Sequence, residues 1–282
     1  MSMLKSAASA VAIVLVLGLT AGAAWAQTVR TSKHDLSSGG ASQGGGTGAT
    51  TEVCVFCHTP HGSATGVQAP LWNKVVDATG FTQYSSLGSA TLDGSEASVG
   101  SVSLACLSCH DGTQAMDVVL NKPGSGGYNA LGAEIDAVAV GQMVGVPAGA
   151  PIPNLGKDLQ NDHPVSIEYA GGACTSATPG ACAIGATSPD PDFTSPQFQT
   201  LNGQPAWWVD TAVGVAGTRE KTDMILYTRN DFNGKGTQVG PSVECGSCHD
   251  PHNAATAVAG ESPAFMRIAN TSSNVCLACH NK

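Results

Sequence analysis

The sequence predicts a mostly irregular, loop-rich fold with short helices and few short strands, its core built around cofactors more than around side chains. Three observations carry this expectation. Charged residues make up 12% of the 282 positions and aromatic residues 5%, while glycine (35) and proline (15) are plentiful. A chain of that composition assembles a weak core from side chains alone. Four copies of Cys-x-x-Cys-His punctuate it: Cys54 to His58, Cys106 to His110, Cys245 to His249 and Cys276 to His280. The histidines number eight, two for each motif.

Cys-x-x-Cys-His is the attachment signature of a c-type haem. Two thiols add across the two vinyl groups of one porphyrin, so they must sit a few residues apart on a local turn. The adjacent histidine then gives an imidazole nitrogen to the iron. A single copy is compatible with half a zinc knuckle or with a redox dithiol. Four copies, each followed by histidine, leave little room for either. The cofactor set expected is therefore four covalently bound haem c groups, held by Cys54, Cys57, Cys106, Cys109, Cys245, Cys248, Cys276 and Cys279. Each porphyrin is a large apolar plate, and stacked haems would supply the missing core.

Ahead of the first motif, Lys5 precedes an apolar run over residues 7–24, and Ala24-Trp25-Ala26 forms an A-x-A cleavage site before Gln27. This reads as a secretory signal peptide over residues 1–26, with a retained anchor as the alternative. No other segment is long and apolar enough to span a membrane. The expected location is extracellular or at the cell surface, alternatively periplasmic. Of the ten cysteines, Cys174 and Cys182 lie outside the motifs and flank Pro179-Gly180. In an oxidising compartment they are expected to form a disulfide. With 21 acidic against 12 basic residues, the chain is a poor candidate for nucleic-acid binding.

The remainder reads as two copies of one plan, a first haem-pair region over residues 27–160 and a second over 161–282, within one compact unit. Each has an upstream histidine (His34, His163), a Cys-x-x-Cys-His-x-Pro-His motif ending at His61 or His252, and a plain Cys-x-x-Cys-His motif. Residues 35–52 are Gly/Ser/Thr-rich and expected to be irregular. Helical turns are expected at the four motifs and around 130–139 and 264–268, and short strands at 211–215 and 224–227. Pro70-Leu71-Trp72 and Ala206-Trp207-Trp208 would either pack on porphyrin faces or fill loop cores.

The histidines narrow the function. His58, His110, His249 and His280 are the motif ligands; His34, His61, His163 and His252 equal in number the irons still lacking a sixth ligand. His58 and His61 are three residues apart and cannot hold opposite faces of one porphyrin, and the same applies to His249 and His252. Following the repeat, His61 is assigned to the haem of Cys106/Cys109 and His252 to that of Cys276/Cys279. His34 and His163 then serve the first motif of each copy. Bis-histidine ligation leaves no open position for a substrate, and it gives a lower reduction potential than a Met/His pair. Met116 and Met266 are not needed as ligands. The reading is electron transfer without catalysis.

Lys33-His34-Asp35-Leu36-Ser37, Cys57-His58-Thr59-Pro60-His61 and Cys248-His249-Asp250-Pro251-His252 resemble the doubled Cys-x-x-Cys-His multihaem c-type cytochromes. More narrowly, the chain resembles the tetrahaem extracellular cytochromes that polymerise into conductive filaments in metal-respiring microbes. The resemblance covers residues 33–61, 70–72, 105–112, 162–166 and 243–280. It implies a loop-rich fold, haems stacked in a continuous line, a head-to-tail homo-polymer, and one distal histidine given by a neighbouring subunit, here His34. Other redox proteins or extracellular acceptors would receive the electrons. A monomeric periplasmic shuttle is the alternative, and a multihaem reductase a more distant one.

Overall fold

The structure is a computed structural model that describes residues 29–40, 50–92, 94–124, 126–135, 142–143, 153–172, 190–211, 213–232, 240–253 and 265–281. The expected signal peptide and the Cys174/Cys182 disulfide lie outside these residues. Most of the described chain is loop, with few short helices and a set of antiparallel strands.

The helices sit on the motifs, as the spacing predicts. A 3-10 turn spans Val53–Phe56. Three α-helices follow, α1 (Ser101–His110), α2 (Cys245–Cys248) and α3 (Asn274–Cys279). In the first, third and fourth motifs the histidine N–H closes onto the first cysteine's carbonyl, at 2.8 Å for His58, 3.1 Å for His249 and 2.9 Å for His280. One α-turn thus brings both thiols and the imidazole onto one local surface.

The strands exceed expectation. β1 (Val118–Asn121) pairs with β2 (Tyr128–Glu134), where a helical turn was expected around 130–139. Gly132 explains the difference: its φ of +74° suits neither a helix nor any side-chain-bearing residue, and a Cβ there would collide with Val118. A five-stranded antiparallel sheet has the order β3 (Ile167–Glu168), β7 (Gly240–Val243), β6 (Met224–Arg229), β5 (Gln204–Val209), β4 (Gln197–Leu201). The strand expected at 224–227 is part of β6. At 211–215 the described residues form a bend with Val213 and Val215 exposed, because Asp223 and Glu220 accept backbone N–H groups there. Residues 265–268 likewise form an extended bridge and bends in place of a helical turn.

β4 and β5 are joined by Asn202-Gly203, both at positive φ (49° and 76°), the two-residue turn that matches the twist of a hairpin. β5 and β6 carry consecutive buried residues, Trp207, Trp208, Val209 and Met224, Ile225, Leu226, so both sheet faces are covered there. One face builds a cluster of Tyr169, Trp207, Val209, Met224, Leu226 and Ile268 that packs on Cys248 and Cys279. A second cluster, Val99, Leu104, Leu107 and Leu159, is built on α1. Trp207 and Trp208 therefore fill the protein core, and Trp207 tilts against Phe198 at 4.5 Å between ring centres. Trp207→Ala should lower the free energy of unfolding by about 3–5 kcal/mol in denaturant titrations. Leu131→Ala, at a side chain that is 87% exposed, should change it by less than about 0.5 kcal/mol.

Candidate metal centres

Each motif histidine is anchored by a second, distant piece of backbone. His58 forms a β-bridge with Trp72, His249 with Met266 and His280 with Phe193. His110 offers its carbonyl to Leu155 N–H at 2.7 Å. Flanking hydrogen bonds reinforce the anchors: Asn73 N–H donates to Cys57, Arg267 N–H to Cys248 and Thr194 N–H to Cys279, each at 2.8 Å. The turn supplies local geometry, and the bridge fixes it in the fold.

The rings are held as well. His58 Nδ1 lies 2.7 Å from the Pro70 carbonyl, His110 Nδ1 2.5 Å from Pro153 and His163 Nδ1 3.0 Å from Pro164. A ring N–H of His34 donates to the carbonyl of Pro251. A carbonyl only accepts, so Nδ1 carries the proton in the first three, and Nε2 keeps its lone pair for a metal. All four acceptors are prolines. His252 Nδ1 faces Asp250 Oδ1 at 3.6 Å, and this carboxylate raises the basicity of the imidazole. Burial first, then the neighbouring His110, pushes His34 down to about 4, and burial lowers His110 too. Both are neutral donors near neutral pH.

Six of the eight histidines face one another in pairs. Ring centres are 6.1 Å apart for His34 and His110, 6.1 Å for His58 and His252, and 6.5 Å for His163 and His280. Two metal–nitrogen bonds of about 2 Å, each with a ring centre roughly 1 Å behind the nitrogen, give a separation of roughly 6 Å across one metal. The three pairs fit a six-coordinate iron with two axial imidazoles. Each unites one motif histidine with one histidine from outside the motifs.

The partners differ from those the repeat suggested. His34 faces the second motif and not the first, His252 the first and not the fourth, His163 the fourth and not the third. The repeat reading paired histidines within each copy, whereas the fold crosses the copies: β6 and α2 of the second copy pack on α1 of the first. His34 lies beside His110 and the Pro251 carbonyl. His61 is exposed.

The cysteines follow one line. Cys57 lies close enough to Cys109 for their charges to interact; Cys106 and Cys245 share a thiol hydrogen bond; Cys248 has the same proximity to Cys276 and Cys279. The four motif cysteine pairs therefore neighbour one another in the order first, second, third, fourth. None of the eight is in a disulfide. Burial pushes Cys57 and Cys279 up to about 12 and Cys248 to about 11. Thiols held protonated are poor metal thiolates and poor redox nucleophiles. Among the described residues no three His, Cys, Asp or Glu side chains converge as a tetrahedral site requires. Among the described residues the buried indole N–H groups of Trp207 and Trp208 have no acceptor.

Asp250 and the four proline carbonyls escape a search for ligand types, although Pro251 and Pro164 stand beside histidines in the sequence. Two outcomes check the pairing. With haem attached at each motif, His252→Ala should open to carbon monoxide the iron of the haem attached at Cys54/Cys57, and leave the irons of the second and fourth motifs closed. The imidazole planes are 16° apart in the His58/His252 pair but 74° and 62° apart in the others. Near-parallel planes give a rhombic low-spin ferric spectrum and near-perpendicular planes a strongly axial one, so electron paramagnetic resonance should resolve both kinds.

No protein-family model matches the chain, and no curated protein matches it.

Proposed function

We propose that the chain is an exported tetrahaem c-type cytochrome that carries electrons, working as a subunit of an extracellular filament. One observation carries the reading: three histidine pairs stand at the separation two axial imidazoles need, and each contains one Cys-x-x-Cys-His histidine. Four bound haems would supply one-electron centres of low potential. The chain's own residues do the rest. Paired thiols fix each ring to a helical turn, proline carbonyls and Asp250 orient the imidazoles, and burial of His34 and His110 keeps water from their pair. With both axial positions taken by histidine, no position is left for a substrate, which favours conduction over catalysis.

Assembly rests on His61. Three pairs within one subunit use six imidazoles, and His34, the residue the resemblance favoured for a neighbour's iron, is engaged inside its own subunit. His61 is exposed, its carbonyl is held by Asn121 Nδ2 at 2.8 Å, and the ring of Tyr128 lies against the adjacent Gly62. Tyr128 is 60% exposed and Leu131 87%. An imidazole presented beside exposed apolar side chains suits a ligand given across a head-to-tail contact. Electrons would leave to another redox protein or an extracellular acceptor. With a net charge of −9, nucleic acid is an unsuitable partner. Among the described residues no helix is long and apolar enough to cross a membrane.

Intact mass should exceed that of the apo-chain by four haem masses, and a gain of three or fewer would refute the count. His61→Ala should abolish filaments in electron micrographs of the secreted fraction and leave the three internal pairs low-spin. Filaments that persist in the variant would refute His61 as the bridging ligand. A wild type that is monomeric and fully low-spin would favour the periplasmic shuttle, and a high-spin iron the reductase.

A further inference from the structure

The second and third attachment sites meet through one buried carboxylate. Glu244 immediately precedes Cys245 and is 1% exposed. Its Oε1 accepts from Arg229 Nη1 at 3.2 Å and Ser242 Oγ at 2.8 Å; its Oε2 accepts from Ser103 Oγ at 2.5 Å and Ser166 Oγ at 3.2 Å. Four donors satisfy both oxygens of the carboxylate. The donors come from α1, β6, β7 and the approach to β3, so the interaction belongs to no single element.

Ser103 is the hinge of this arrangement. It lies one helical turn before Cys106 on α1, and its hydroxyl both donates to Glu244 and accepts the N–H of Cys245 at 2.9 Å. Glu244 N–H in turn donates to Ser247 Oγ at 2.9 Å, which caps α2. Arg229 reaches back to the first copy through Ser98 O at 2.8 Å. The outcome is that Cys106 on α1 and Cys245 on α2 share a hydrogen bond.

We propose that Glu244 is a positioning residue that clamps the second attachment helix to the third, fixing the distance and relative orientation of the two central haems. It rests on the tetrahaem reading. The clamp lies where the two copies join, at the only step of the first-to-fourth line that passes from one copy to the other. Its charge is compensated by Arg229 and three hydroxyls, so it holds geometry from within a dry site. Its side-chain hydrogen bonds go to Arg229 and three serines, not to an imidazole or a thiol, and its loss should leave attachment and ligation intact.

The test uses the holoprotein with Ser103→Ala, Glu244→Gln and Glu244→Ala, of which the first two preserve most of the volume. Intact mass first verifies four haems and a low-spin spectrum in each. Circular dichroism in the Soret band then reads the coupling between neighbouring haems, which depends on their mutual orientation. All three variants should retain four low-spin haems yet lose or reshape the couplet of the wild type, Glu244→Ala most. A couplet unchanged in Ser103→Ala and Glu244→Gln overturns the proposal, even if the unfolding temperature falls, because Glu244 would then only stabilise. A wild type without haem refutes the tetrahaem reading instead; in that chain mild oxidation should cross-link Cys106 to Cys245, and equal cross-linking in Glu244→Ala would refute the clamp independently.

Discussion

The proposed chemistry depends on holding three pairs of imidazoles with their ring centres 6.1–6.5 Å apart. Two long side chains do not keep such a spacing unaided, since each has two rotatable bonds and each neutral ring two tautomers. The fold removes this freedom in three stages. A helical turn fixes the motif histidine relative to its cysteines, a β-bridge fixes that turn relative to a remote segment, and a proline carbonyl or Asp250 fixes the ring. Proline suits the last role because it lacks an N–H and its neighbourhood resists regular pairing, which leaves its carbonyl available. The three α-helices among the described residues all lie on the motifs, while the strands supply the segments packed around them.

The pairs also explain how two similar halves become one unit. His58 of the first copy faces His252 of the second, and His34 at the start of the chain approaches Pro251 and His110 together. The buried Arg229–Glu244 pair spans the same junction. Lys74, fully buried, donates to the carbonyls of Met116 and Val118 and joins the segment after the first motif to β1. Polar contacts of this kind are directional, and they specify which segments meet where a small apolar core could not.

The four Cys-x-x-Cys-His motifs were legible in the sequence because each is complete within five residues. The helical turns at the motifs followed for the same reason. The equality of motif and non-motif histidines was also legible. Which histidines lie near one another was not, since that depends on which copy lies against which, and a repeat read along the chain suggests other neighbours when copies cross. The sheet escaped notice although Asn202-Gly203 marks a hairpin, and β5 and β6 are apolar runs without alternation, a pattern that gives strand and buried helix alike. Glu244 and Asp250 are each next to a motif residue, but nothing in their local sequence separates a clamp or a ring-orienting carboxylate from an ordinary surface acid.

Anomalous scattering at the iron absorption edge, from crystals of the exported protein, tests the central claim most directly. The account predicts four iron peaks per chain, three of them midway between His34 and His110, His58 and His252, and His163 and His280. Absence of iron from those midpoints, or a metal signal centred on the cysteine sulfurs, would contradict it.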